Sequence, residues 1–283
     1  MKRCKIKFDN TSAGFSSDYL TIVSSMVIAL NQGYLPFIDS SNTWFNPTYD
    51  FPNKKVQDVN INPWDWWFDQ STEGIDENTP SFWIDRGVLR HNPINFMNQP
   101  TIDLCMETSQ EHIKIKKYIL DKIDRFYDEN LKNKTSLGIV ARGTEMLNAH
   151  PEYPKIQAEQ WPHIIKEYIK NHPIDVIFLV CDDNKILNSI LNSFDNVIYL
   201  KDMFRQTTQS QQEINKTHND EGGVWWLTPL KGNILDHRKR LGEESLIATQ
   251  LASRCDYFLG SCSGLSNLSQ FFNNKKFKFS KIV

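Results

Sequence analysis

The chain has 283 residues, of which 40% are apolar and 23% charged, with a formal net charge of −2. This is the composition of a soluble globular protein long enough for two ordinary domains. It excludes the strong basic excess of a nucleic-acid-binding chain, and the longest apolar stretch, Tyr19 to Leu30, falls short of the ~20 apolar residues that span a bilayer.

Lys5 to Phe8 reads as a first strand, followed by the polar turn Asp9 to Ser17 and a helix from about Asp18 to Gln32. Its apolar residues Leu20, Val23, Met26, Val27 and Leu30 recur at helical spacing, and Gly33 stops it. Tyr34 to Asp39 is the next strand, and a β-α-β opening predicts a parallel sheet. Ser40 to Pro100 mixes Asn, Pro and aromatics with weak periodicity, the pattern of a loop-rich stretch that decorates a sheet and builds a binding cleft. Trp64, Trp66 and Trp67 cluster there, where aromatics either pack tightly or stack on sugars and bases. Ser109 to Asn130 reads as one charged amphipathic helix, and Leu131-Lys132-Asn133-Lys134 as a boundary.

The alternation then restarts. Leu137 to Ala141, Val176 to Val180, Asn196 to Leu200 and Tyr257 to Gly260 read as strands. Ala158 to Asn171, Lys185 to Ser193, Glu243 to Ser253 and Leu265 to Phe272 read as helices. Gln206 to Asp220 is polar and glutamine-rich, a predicted mobile loop, and His237-Arg238-Lys239-Arg240 reads as a solvated helix start. The predicted fold class is α/β, with two Rossmann-like domains, 1–133 and 134–283, facing each other across a cleft.

The five cysteines, Cys4, Cys105, Cys181, Cys255 and Cys262, are odd in number and form no CxxC pair. Met1-Lys2-Arg3 is followed by alternating charge instead of an apolar h-region. Both features predict reduced, largely structural thiols and a cytoplasmic location.

Three strand ends of the second half carry a pattern: Arg142-Gly143-Thr144-Glu145, Cys181-Asp182-Asp183 and Gly260-Ser261-Cys262-Ser263-Gly264. In parallel neighbours all three tips meet at the carboxyl edge of one sheet, where open α/β folds bind ligands. A guanidinium there can bridge two phosphate oxygens, or it can form an ordinary surface salt bridge. The hydroxyl-rich turn opens a helix whose N–H groups favour an anion such as a diphosphate, although a simple helix cap has the same composition. Together the tips predict a nucleotide-diphosphate site.

With these residues in place, the chain resembles the fucosyltransferase-type GT-B glycosyltransferases, the group of α1,6-fucosyltransferases, the nodulation fucosyltransferase and protein O-fucosyltransferases. The family's Gly-Phe-Gly-Ser-type turn is similar to Gly14-Phe15-Ser16-Ser17, and Phe37-Ile38-Asp39 to Trp44 resembles its following strand with Trp or Tyr. Its His-x-Arg-x-Thr-Asp motif resembles Val140-Ala141-Arg142-Gly143-Thr144-Glu145, and its Ala-Thr-Asp-Asp strand end resembles Val180-Cys181-Asp182-Asp183. Ser253-Arg254-Cys255-Asp256-Tyr257-Phe258 with Ser261-Cys262-Ser263 resembles its last strand and Ser-rich turn. The resemblance runs in order along nearly the whole chain. This sequence departs from it at Val140, where the family has His, at Glu145 for Asp, at Ser16 for the second Gly, and at Ala248 for an Asp that reads guanine.

The resemblance implies an inverting, metal-independent transferase that moves a sugar, fucose from GDP-fucose in the first instance, onto a glycan or glycoconjugate hydroxyl, with no resident cofactor. The N-terminal domain would serve the acceptor side and the C-terminal domain the nucleotide sugar. Arg142, with Ser261 and Ser263, would stabilise the departing diphosphate. Gly14 and Phe15 would line the donor site, and Asp182 or Asp183 would orient the nucleotide or brace the loop. Glu145 and His150 are the two candidates for the base that takes the acceptor proton. The implied partners are a nucleotide-sugar donor and a glycan acceptor, with no nucleic acid and no transmembrane segment; peripheral membrane contact stays open. Two alternatives remain: a nucleotide-sugar-binding relative without turnover, and a transferase that uses a different nucleotide sugar. A phosphotransferase lacks support, since neither GxxxxGK[ST] nor a GxGxxG after the first strand is present.

Overall fold

The computed structural model describes residues 1–8, 14–41, 43, 49–50, 54–55, 61–84, 99–143, 156–205, 234–274 and 276–283. The chain divides into two compact units, residues 1–120 with 231–245 and residues 121–230 with 246–283.

In the first unit, β1 (Lys2–Phe8) buries Cys4, Ile6 and Phe8 completely and leaves the residues between them partly exposed, the two-residue period of a strand with one covered face. In α1 (Phe15–Asn31) the residues Phe15, Tyr19, Ile22, Val23 and Met26 are buried, and Asp18 sits in the first turn, where the helix dipole favours a carboxylate. β2 (Tyr34–Asp39) returns parallel to β1. There follow a short antiparallel pair, β3 (Tyr49–Asp50) with β4 (Lys54–Lys55), a 3₁₀ turn at Pro63–Trp66, and β5 (Phe68–Asp69). β6 (Ser81–Ile84) then adds to the free side of β1, giving a parallel sheet of order β2-β1-β6. The stretch read as loop from Ser40 to Pro100 therefore also supplies a sheet strand.

Trp64 and Trp67 are core residues. Trp64 stacks on Phe68 with centroids 4.0 Å apart, and Phe15 meets Trp67 edge-on at 5.2 Å. The cavity left among Phe8, Phe15, Tyr19, Trp64 and Trp67 measures about 20 Å³, enough for one water and far too small for a sugar ring. The single helix expected from Ser109 to Asn130 is instead two, α2 (Gln99–His112) and α3 (Lys117–Asn130). Between them β7 (Lys114–Ile115) pairs with β5, and Lys116 N–H donates to Trp67 O at 3.0 Å. These bonds engage main-chain groups that a continuous helix would have used, and the break follows.

In the second unit, β8 (Ser136–Ala141) and β9 (Val176–Cys181) are buried at every position, as parallel strands covered on both faces must be. A 3₁₀ turn at Ala158–Gln160 leads into α4 (Trp161–Ile169), and α5 (Asn184–Leu191) follows β9. β10 (Val197–Tyr199), α6 (Ile234–Ser253), β11 (Tyr257–Gly260), α7 (Gly264–Phe272) and β12 (Phe279–Ile282) complete the order. The sheet is parallel throughout, in the order β10-β9-β8-β11-β12. Leu137, Ile139 and Ala141 of β8 pack in one cluster with Trp161, Ile165 and Ile186.

Two further readings change. α6 begins before Glu243 and includes the basic run, in which Arg238 is only 3% exposed, so that run is not wholly solvated. β12 carries no apolar run in the sequence: its residues are mostly exposed, as suits a lysine-bearing edge strand. Among the described residues no helix is long and apolar enough to cross a membrane.

Candidate functional site

β8 opens the second sheet, β9 and β10 extend it on one side, and β11 and β12 on the other. The chain reverses its direction of growth between β8 and β11, and in open α/β sheets ligands bind outside the carboxyl ends of strands at such a switch point. Arg142 leaves β8 there and Ser261 leaves β11. Ser261 Oγ accepts the Arg142 main-chain N–H at 3.1 Å and donates to Val140 O at 3.2 Å, so one hydroxyl ties the two strand ends together.

On the other flank, Asp182 reaches from the end of β9. Its Oδ1 accepts the Gly143 N–H at 2.8 Å. Its Oδ2 lies 3.0 Å from Arg142 Nη1, an ion pair whose alignment falls short of a hydrogen bond. Gly143 is compressed against this strand end: a Cβ there would sit 2.9 Å from Asp183 Cβ and 3.2 Å from Asp182 Oδ1. Asp183 turns away to cap α5, accepting Lys185 N–H at 2.6 Å. The adjacent carboxylates thus serve different partners and do not converge as metal ligands must. Among the described residues no group of three His, Cys, Asp or Glu side chains is placed to hold a metal ion.

Ser263 caps α7, its Oγ accepting Ser266 N–H at 3.2 Å, while Ser266 Oγ donates to Ser261 O at 2.6 Å. The serine-rich turn is therefore cross-braced within itself, with the amino end of α7 at the carboxyl edge of β11. Arg205, beyond β10, donates to the carbonyls of Leu200 at 2.6 Å and Met203 at 3.0 Å and lies over the Tyr199 ring. Beside it the Cys181 thiol is pushed up to about 12 by burial, which outweighs the downward pull of Arg205. This second arginine on the same edge follows the predicted strand Asn196 to Leu200, the same strand-then-arginine pattern as Arg142 after β8.

The structure thus brings Asp182 and Ser261 each into contact with Arg142, from opposite sides, and assigns Asp183 and Ser263 to helix caps. Gly14 (φ 95°) precedes α1, and the Phe15 ring is buried against Trp67 and Phe68. Glu145 and His150 lie outside the described residues, as does the loop Gln206 to Asp220. Val140 and Ala248, the positions that depart from the family's His and Asp, are both fully buried and offer no side-chain polar contact.

No family model matches the sequence, and no curated protein matches it. Solved structures do match. NodZ alpha-1,6-fucosyltransferase co-crystallized with GDP superposes with a TM-score of 0.57 at 13% identity, over 95% of this chain and 92% of that one. The same enzyme soaked with GDP-fucose gives 0.55 at 14% identity, over 96% and 93%. Fucosyltransferase NodZ from Bradyrhizobium gives 0.54 at 14%, over 95% and 93%. The fold is fucosyltransferase-like. The likeness extends across both units and bears out the expected GT-B-like α/β class.

Proposed function

We propose that this protein is a glycosyltransferase that takes its sugar from a GDP-sugar, GDP-fucose in the first instance, and transfers it to a glycan hydroxyl. The observation that carries this reading is Arg142 at the switch point of the second sheet, its main chain tied to Ser261 at 3.1 Å. The fold supports it, since it is shared with a fucosyltransferase crystallised with GDP and with GDP-fucose.

In this reading the Arg142 guanidinium meets the diphosphate and stabilises the charge that builds on it as the glycosidic bond breaks. The amino end of α7 adds main-chain donors and a favourable dipole. Transfer is a single displacement with inversion. It needs no metal, because the cationic side chain and helix amides neutralise the leaving group. Glu145 or His150 takes the acceptor proton.

A thermal-shift comparison of GDP, UDP, TDP and CMP, with and without EDTA, tests the proposal. A ligand at 100 times its dissociation constant adds roughly 2.7 kcal/mol, which is readily seen in melting. GDP should raise Tm most, and EDTA should leave that rise intact. Equal shifts for all four nucleotides would remove the GDP-sugar reading, and a shift abolished by EDTA would remove metal independence.

A further inference from the structure

Asp182 is 8% exposed, and its two oxygens have separate partners, the Gly143 N–H on Oδ1 and the Arg142 guanidinium beside Oδ2. Ser261 Oγ holds the main-chain N–H of the same arginine. Arg142 is therefore held from both neighbouring strands, its backbone by a hydrogen bond from β11 and its side chain by an ion pair from β9. An arginine has many rotamers, and a ligand that must select one loses affinity or rate in doing so. A carboxylate already seated against one end of the guanidinium removes much of that search before any ligand arrives.

The charge of Asp182 opposes a role as a direct nucleotide contact. A carboxylate facing a diphosphate repels it, whereas the same carboxylate behind an arginine orients a cation toward it. We infer that Asp182 is a positioning residue: it presets the Arg142 guanidinium for the diphosphate and does not itself touch the nucleotide. This rests on the GDP-sugar reading given above.

The role separates cleanly from a nucleotide-binding one in Asp182→Asn. The amide oxygen can still accept the Gly143 N–H, so the strand ends stay joined, but its NH₂ group faces the guanidinium as donor against donor. Binding of GDP should hold within about three-fold or tighten, because one negative charge is gone. Turnover of GDP-fucose should fall about 10–100-fold, the scale on which a misplacement of about 1 Å acts.

The experiment combines calorimetric titration of GDP, GDP-fucose turnover, and ¹⁵N NMR of the arginine side chains in the full chain, with Arg142 assigned through Arg142→Lys. Without ligand, rotation of the Arg142 guanidinium should be slow in the parent and faster in D182N. D182N should then bind GDP normally and turn over slowly. Equal rotation in the two proteins overturns the inference. So does an unchanged turnover rate, and so does a loss of GDP affinity of about ten-fold or more, which would make Asp182 a nucleotide contact. A parent that binds no GDP overturns the donor reading instead; the ligand-free rotation still decides whether Asp182 holds the arginine.

Discussion

Trp67 Nε1 donates a hydrogen bond to the main-chain carbonyl of Lys239 at 2.9 Å. The indole rests in a notch that α6 opens at Gly242, where a Cβ would land on Trp67 Cζ2 and lie 2.6 Å from Cη2. Gly242→Ala sets two effects against each other. Helix propensity favours alanine by about 1 kcal/mol, whereas overpacking a filled core costs about 1–3 kcal/mol. Trp67 is buried and hydrogen-bonded, so the ring cannot yield and overpacking should win. Urea unfolding should show G242A less stable than the parent, while in a Trp67→Leu background the same change should be neutral or stabilising. Additive effects in that cycle would mean that α6 moves aside.

Gly143→Ala probes the clamp from its backbone side. The added Cβ would meet Asp183 Cβ at 2.9 Å and Asp182 Oδ1 at 3.2 Å. The end of β9 is held by Asp183 capping α5, so the turn after β8 must shift instead, carrying Arg142 with it. A drop in GDP-fucose turnover of about 10-fold or more is expected, on the scale of a 1 Å misplacement. Full activity in G143A would show that the turn has slack.

Asp256 sits at the opposite edge of the same sheet and gives a pH signature. Its Oδ2 accepts Ser136 N–H at 3.0 Å and its Oδ1 pairs with Lys278 Nζ at 2.8 Å. Partial burial pushes its carboxyl up, but the Lys278 and Ser136 contacts outweigh this and hold it below the usual carboxylate value. Such a group adds stability that is complete above its unfolded pKa, about 3.9, and lost as pH falls through the lower folded value. Asp256→Ala also strands the buried Ser136 N–H, a cost of about 1–3 kcal/mol. The stability gap between parent and D256A should therefore begin to shrink below about pH 5 and go on shrinking as pH falls through the lowered folded value of the carboxyl. A gap constant over that range would show that the ionised form carries none of it.

Arg142→Ala should lower turnover by about 10²–10³, the usual effect of losing one preorganised donor to a developing charge. Arg142→Lys should recover little, because a point charge cannot make a two-pronged contact. Both variants disturb the pairing of the nearly buried Asp182 carboxylate, so Tm should fall as well. Rates must be read well below each variant's Tm, and a folded R142A within a few fold of the parent would make the arginine purely structural.

The inner strands of the second unit, β8, β9 and β11, were legible because buried parallel strands are continuous apolar runs, as in Val176 to Cys181. The polar tips after them were legible because a charged or hydroxyl residue abruptly ends each run. What the tips do to one another was not. Nothing in the spacing says that Asp182 turns toward Arg142 while Asp183 turns to Lys185; that depends on the register of β8 with β9. The helix break at Ile113 to Lys116 was hidden for a related reason, since it is made by a main-chain bond to Trp67 and by the β5 pairing, both far away in sequence. β12 escaped because an edge strand needs few apolar side chains.

The bond from Trp67 to Lys239 spans 172 positions of sequence, and Tyr118 likewise waits for Glu243. At a synthesis rate of about 5–20 residues per second, the ribosome adds that stretch in on the order of 10–30 s. Throughout that interval the Trp67 indole and the Tyr118 hydroxyl lack the α6 groups that meet them in the folded chain. A fragment that stops at Leu120 would leave the Trp67 ring without that helix permanently, and should be less soluble than the full chain.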